Sequence, residues 1–209
     1  MADAATIASL ATAGGTLILA IATFSATRSA NRSARIAERA LDLNLRPVLI
    51  PAHEWEPTER ITFHDQIFEL RSGYAAVEER DGNLYFAAQL RNVGAGIGVL
   101  TSWKLKADPH LPVQSDMTKP PDPTHFVAQL RSLYVPAGDV GYWQGAIRAG
   151  DTDRGDADAL RSAISAGGRI ALFLRYADQD GGHDTITRYT ITPDENGDWL
   201  IGIARHWSL

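Results

Sequence analysis

The chain has 209 residues, no cysteine and a net charge of −5, which excludes disulfides and thiolate chemistry and leaves room, after an N-terminal helical region, for one folded domain rather than two. The charge is unevenly placed: residues 26–46 carry Arg28, Arg32, Arg35, Arg39 and Arg46 against Glu38 and Asp42, a net of +3, while residues 47–209 hold 15 basic against 22 acidic residues, a net of −7. So acidic a domain argues against nucleic acid as a partner, and the one basic patch adjoins an apolar segment, where a membrane surface would lie.

From Ala4 to Thr27 no residue is charged. As a helix this 24-residue run spans about 36 Å, against a hydrocarbon core of about 30 Å. The run is weakly hydrophobic: Ile7, Leu10, Leu17, Ile18, Leu19, Ile21 and Phe24 are diluted by Ala, Gly, Ser and Thr. Position and flanks predict a transmembrane anchor over 1–27, the alternative being a buried or surface helix. A cleaved signal peptide fits less well, because the start is Met-Ala-Asp and the basic cluster follows the apolar run. The positive-inside rule then places the C-terminal domain in the cytoplasm. Residues 28–45 contain no Gly or Pro, so the helix is expected to continue as a basic juxtamembrane segment over 28–46, ending at Arg46-Pro47.

At a period of 3.6 the helix has two stripes. Ile7, Leu10, Leu17, Ile18 and Ile21 share one side, which Arg28, Arg32, Arg35 and Arg39 continue. The expectation is lipid contact, with the arginines reaching anionic headgroups. The opposite side carries Ser9, Thr12, Thr16 and Thr23. Small, weakly polar faces let membrane helices approach closely, so these four residues are candidates for association with a second copy or a partner's helix. No ionisable residue lies in the run, which gives a pore or proton path little support.

From Pro47 the pattern changes to period two. Strands are expected at 46–52, 74–79, 84–93, 98–107, 133–135, 140–147, 169–176, 184–192 and 199–207. Asp81-Gly82, Asp180-Gly181-Gly182 and Asn196-Gly197 supply hairpin turn chemistry. A helix is expected at 156–166, stopped by Gly167-Gly168, and a long loop at 109–123, which holds five of the ten prolines. Nine short, mostly antiparallel strands predict an immunoglobulin-like β-sandwich over 47–209, with a partly open barrel as the alternative.

An N-terminal anchor, an Arg/Ala helix ending in Arg46-Pro47 and a strand pair carrying Asn92-Val93-Gly94-Ala95-Gly96 together resemble a loose group of uncharacterised bacterial single-pass membrane proteins with a juxtamembrane β-sandwich domain. The resemblance spans most of the chain. It implies an architecture and no activity.

Motifs that would carry chemistry are weak. In Gly94-Ala95-Gly96-Ile97-Gly98, Val99 stands where a dinucleotide loop needs its third glycine and a strand follows, so the segment reads as a bulge or tight connection. The run from Asp178 to Asp184 is rich in oxygen ligands but lacks EF-hand spacing, and reads as a hairpin tip. His53, His64, His110, His125, His183 and His206 show no zinc-site spacing. No G-x-S-x-G stands in the chain. Cofactors are not expected. Adjacent Tyr142 and Trp143 point to opposite faces of a strand, so one of them is a candidate contact surface.

The leading reading is a membrane-anchored interaction module, its partners the lipid bilayer and a protein or a second copy through the anchor. The alternative is a tethered ligand-binding or enzymatic domain, with a site drawn from distant residues such as Asp139, Asp178, Asp180 and His183.

Overall fold

The computed structural model describes residues 3–109, 118–151 and 157–209, without the side chains of 4–8, 11, 41–44 and 132. The expected helix start at Asp156, His110 and most of the proline-rich loop lie outside the described residues. Two compact units make up the chain, residues 1–43 and 44–209, and each is described by itself.

The first unit is one uninterrupted helix, α1 (Ala4–Asn44). Gly14 and Gly15 each cost about 1 kcal/mol relative to alanine, and strong helix formers on both sides carry the helix across them. It stops just before Arg46-Pro47, as the proline requires. Every described side chain from Thr12 to Ala40 is exposed. Among the described residues no helix is long and apolar enough to cross a membrane, so the structure does not bear out the expected span. The physical reason is dilution: Leu17, Ile18, Leu19, Ile21 and Phe24 sit within two turns, with Thr, Gly and Ala before them and Arg28 soon after. Ile7, which extends the apolar run, lies where side chains are not described.

The second unit is mainly β. Its strands are β1 (Leu49–Pro51), β2 (Glu59–Thr62), β3 (Ile67–Leu70), β4 (Tyr74–Arg80), β5 (Asn83–Asn92), β6 (Gly98–Ala107), β7 (Val127–Val135), β8 (Val140–Ile147), β9 (Ile170–Ala177), β10 (Thr185–Pro193) and β11 (Trp199–Ser208), with one short helix, α2 (Ala157–Ser165). All pairings are antiparallel. The immunoglobulin-like β-sandwich behind one long helix is what the chain adopts, and its two layers are halves of a single curled sheet. The sheet runs β1-β5-β4-β11-β10-β9-β6-β7, with β8 added on the free side of β5. The curl makes β8 and β7 the two ends of the sheet and brings them side by side.

The core lies inside the curl. Leu84, Phe86, Ala88 and Leu90 of β5 face Leu172, Leu174 and Tyr176 of β9, Tyr189 and Ile191 of β10, and Trp103 and Trp143. A bulge at Thr101 resets the alternation of β6, so Leu100 and Trp103, three apart, both point inward. Leu160 of α2 enters the same core, and the helix ends in a left-handed Gly167.

The hairpin β2–β3 was not legible in the sequence. It covers the outer face of β5, where Ile61, Phe63, Phe68 and Leu70 pack on Tyr85 and Ala87. That cover is why β5 is buried on both faces. In the hairpin tip, the Arg148 guanidinium and the Tyr85 hydroxyl hold the Asp65 carboxyl well below the usual carboxylate range.

The turns follow their chemistry. Asp81 (φ 51°) and Gly82 (φ 74°) form a two-residue hairpin loop. The Asn196-Gly197 loop is wider than expected, five residues wound on the Asp194 carboxylate, which accepts from the backbone N–H groups of Asn196 and Asp198.

Candidate functional site

On α1, Arg28, Arg32, Arg35 and Arg39 are spaced four, three and four apart, so they form one exposed row. None has an ion-pair partner among the described residues. Ser9, Thr12, Thr16 and Thr23 form an exposed row of small side chains. Thr16 donates its hydroxyl proton to the Thr12 carbonyl and Thr23 to the Leu19 carbonyl, both at 2.8 Å. These hydroxyls are therefore satisfied within the helix. What the row offers a second helix is close approach and acceptor lone pairs rather than free donors.

Trp143 is 0% exposed and stacks edge-on against Trp103 in the core, ring centroids 5.6 Å apart. Tyr142 faces the other way and is half-buried against the β2–β3 hairpin. Of the two, only Tyr142 retains access to solvent. Gly145 is required beside the tryptophan pair, because a Cβ there would come within 2.8 Å of Trp143 and 3.0 Å of Trp103.

The residues next along β8 line a feature that no sequence motif marks. Where β7 and β8 meet without a ladder, a cavity of about 150 Å³ lies between Gln129, Leu130 and Arg131 of β7 and Gln144 of β8, over a floor of Phe63 and Trp103. Gln129 Nε2 donates to the Gln144 backbone carbonyl at 3.3 Å. The Oε1 atoms of Gln129 and Gln144 are both buried with no hydrogen-bond partner among the described residues. Gln144 was hidden because a glutamine in an alternating strand reads as outward-facing, and Gln129 because the strand expected there, 133–135, begins after it.

A second feature is an open groove of about 710 Å³ flanked by Trp55 and Leu200, with Thr190, Thr192 and Gly202 along it. Trp55 is 78% exposed and stacked on His53 at 4.2 Å.

The motif Asn92–Gly96 is a structural node. Asn92 is fully buried, its Nδ2 donating to the carbonyls of Gly96 (2.7 Å) and Val135 (2.9 Å), while its Oδ1 accepts from the backbone N–H groups of Val48 (3.1 Å) and Gly94 (3.0 Å). A Cβ on Gly96 would overlap the Leu45 carbonyl, and one on Gly94 the Arg46 carbonyl. The glycines let the segment that follows α1 lie directly on this loop, as a tight connection rather than a nucleotide cradle.

The tip between β9 and β10 is self-satisfied. Asp178 Oδ1 accepts from the backbone N–H groups of Asp180 (3.0 Å) and Gly182 (2.7 Å), and Oδ2 bonds His183 Nδ1 at 2.7 Å. Burial raises the Asp178 carboxyl, but these bonds outweigh it and leave it below its ordinary value. Asp139 sits apart, at the β7–β8 corner, where its carbonyl accepts from the Asn92 N–H. Among the described residues no group of three His, Cys, Asp or Glu side chains is placed to hold a metal ion.

A polar chain, buried from Leu49 to Thr187 and reaching the exposed His206, ties β1 to the sheet. The Leu49 N–H donates to the Tyr176 hydroxyl (3.3 Å), which bonds the Thr187 hydroxyl (3.0 Å), which bonds His206 Nδ1 (2.7 Å). Tyr189 donates to the Leu49 carbonyl at 2.8 Å. Burial, and then the charge of Arg46, push the His206 imidazole below its ordinary value. A neutral His206 suits the chain, because its Nδ1 can accept the Thr187 proton and leave Tyr176 free to receive the Leu49 N–H.

Comparison with protein-family models, with curated proteins and with solved structures returns no match.

Proposed function

We propose that the chain is a membrane-anchored β-sandwich interaction module, held at a bilayer by α1 and presenting its domain, on the cytoplasmic side, to a protein partner. The observation that carries this reading is the exposure of an uncharged apolar segment: Leu17, Ile18, Leu19, Ile21 and Phe24 are each 61–70% exposed. Burying each of them is worth roughly 1.5–3 kcal/mol, so water is a poor environment for this stretch. Ile7 and Leu10 extend the apolar run toward the N-terminus, and the row Arg28, Arg32, Arg35 and Arg39 follows it at about 1 kcal/mol per arginine near an anionic surface. The row of Ser9, Thr12, Thr16 and Thr23 supports self-association of the anchor.

Flotation of the full chain with phosphatidylcholine vesicles, with and without anionic lipid, tests the reading. The expected result is vesicle association that survives alkaline carbonate. Recovery of the chain in the soluble fraction under both conditions would overturn it.

A second reading, a tethered ligand-binding domain, draws on the open groove beside Trp55, whose volume of about 710 Å³ falls within the range of about 300–1,000 Å³ usual for small-molecule sites. Its walls bring no cluster of titratable groups together, which is why it ranks second.

A further inference from the structure

The curled sheet ends in two strands that lie next to each other and, among the described residues, form no ladder. Among the described residues β8 is laddered to β5 alone, and β7 to β6 alone. In an antiparallel ladder alternate residues turn their backbone groups away from the partner strand. The Gln144 carbonyl is one of these on β8, because it accepts from Gln129 across the seam instead of from β5. Tyr142, two residues away, shares that orientation.

β7 is open for a different reason. Between Leu133 and Ala128 it has four residues where β6, between Leu100 and Ser102, has one. The stretch 129–132 therefore leaves the β6 ladder, and Leu130 stands 81% exposed.

Orphaned side-chain acceptors line the same gap. Gln144 is 9% exposed, and neither its Oε1 nor that of Gln129 has a partner among the described residues. Buried polar atoms without partners are rare, and a pair of them at one opening marks it as a place able to receive the polar groups of a ligand. A group that pairs with carboxamides and with a strand edge at once is another amide. Gln129 is held by its bond to the Gln144 carbonyl and presents an oxygen to a peptide N–H, while rotating the Gln144 amide by half a turn would present an N–H to a peptide carbonyl instead.

Size narrows the occupant. A cavity of about 150 Å³ is below the range of about 300–1,000 Å³ that cofactors and drug-sized ligands occupy. It suits one small side chain over the apolar floor of Phe63 and Trp103. Arg131, exposed on the rim, has no ion-pair partner among the described residues and favours an acidic neighbour in the occupant.

We propose that the β7–β8 seam accepts an extended peptide segment of a partner protein as an added strand, with one small residue in the cavity and the Gln129 and Gln144 carboxamides pairing with its backbone. The proposal rests on the reading of the chain as an interaction module and names the chemistry of its partner.

The test uses the full chain in detergent micelles, so its outcome does not depend on membrane insertion, which flotation decides separately. The probe is a random dodecamer phage library. The expected result is an enriched family with a small residue beside an acidic one. A synthetic peptide of that family should bind at least tenfold more tightly than a counterpart N-methylated at alternate residues, which keeps every side chain and removes strand pairing. The variant Q129C/Q144C, the only cysteine pair in the chain, lacks both carboxamides and should bind more weakly than the native chain when reduced, and should lose the remaining binding when oxidised. The proposal is overturned if no family is enriched, which would leave water as the occupant. Equal affinity for the N-methylated peptide, or undiminished binding by the oxidised variant, overturns it as well. So does concentration-dependent dimerisation abolished by oxidation, which would make a second copy the occupant.

Discussion

Replacing Asn92 by alanine removes four hydrogen bonds at once. Two of them leave the carbonyls of Gly96 and Val135, the latter on a fully buried residue, and two leave the N–H groups of Val48 and Gly94 at the entry to β1 and in the β5–β6 loop. A hydrogen bond is worth about 1 kcal/mol net, and an orphaned buried partner costs about 1–3 kcal/mol. Val48 and Gly94 can regain water, while Val135 cannot, so the expected loss is about 3–5 kcal/mol. Against a typical domain stability of about 5–15 kcal/mol this is a large fraction. Urea unfolding followed by the fluorescence of buried Trp103 and Trp143 reads it directly, with the midpoint falling and the slope unchanged. Asn92→Asp keeps the two acceptor roles but turns an oxygen toward two carbonyls, so at neutral pH it should destabilise at least as much as alanine, with partial recovery as the carboxylate is protonated. A loss below about 1 kcal/mol for Asn92→Ala would refute the assignment of this residue as the node that fixes β1, the β5–β6 loop and the β7–β8 corner.

Gly96→Ala should be at least as damaging as Asn92→Ala, because its Cβ meets backbone, whereas Gly14→Ala, with nothing near its Cβ, should leave the domain's unfolding midpoint unchanged in the same titration. Gly145→Ala forces Trp143 and Trp103 apart, at about 1–3 kcal/mol for overpacking, and near-UV circular dichroism should report the altered ring pair. His206 has a folded-state pKa below its unfolded value of about 6.5, so the unfolded chain takes up the proton first as pH falls; its contribution is constant above about 6.5 and destabilising below it. Melting temperature across that window should therefore decline in the native chain and decline less in His206→Gln. Thr12→Leu with Thr16→Leu should weaken anchor association in a membrane two-hybrid assay, and an unchanged signal would remove the small-residue row from the account.

What the sequence made legible follows from how local each signal is. The strand at 140–147 was read with its observed bounds, since Asp139 and the apolar run set both ends. Asp81-Gly82 specified its turn because both residues take positive φ. α1 was legible from its propensities and from Arg46-Pro47. The β2–β3 hairpin was missed because each of its strands is only four residues long, too short for alternation to register. Its one trace was the continuous apolar run at 84–88 of β5, which is explained by cover on both faces. The first half of β7 was missed because the bulge at 129–132 destroys its period. A register shift opposite Arg188 and Tyr189 similarly breaks the alternation of β11, leaving Ile203 exposed between buried Ile201 and Trp207. The seam was invisible for a deeper reason: Gln129 and Gln144 lie 15 residues apart and are brought together only by the closure of the sheet.

The central claim is that α1 holds the domain at a membrane. Protease protection of a C-terminally tagged chain in spheroplasts, followed by a carbonate wash, tests it most directly. The account predicts a tag that stays with the membrane fraction and resists protease until lysis. A tag that washes off with carbonate would contradict the anchor, and one that stays bound but is cleaved in intact spheroplasts would contradict the orientation set by Arg28, Arg32, Arg35 and Arg39.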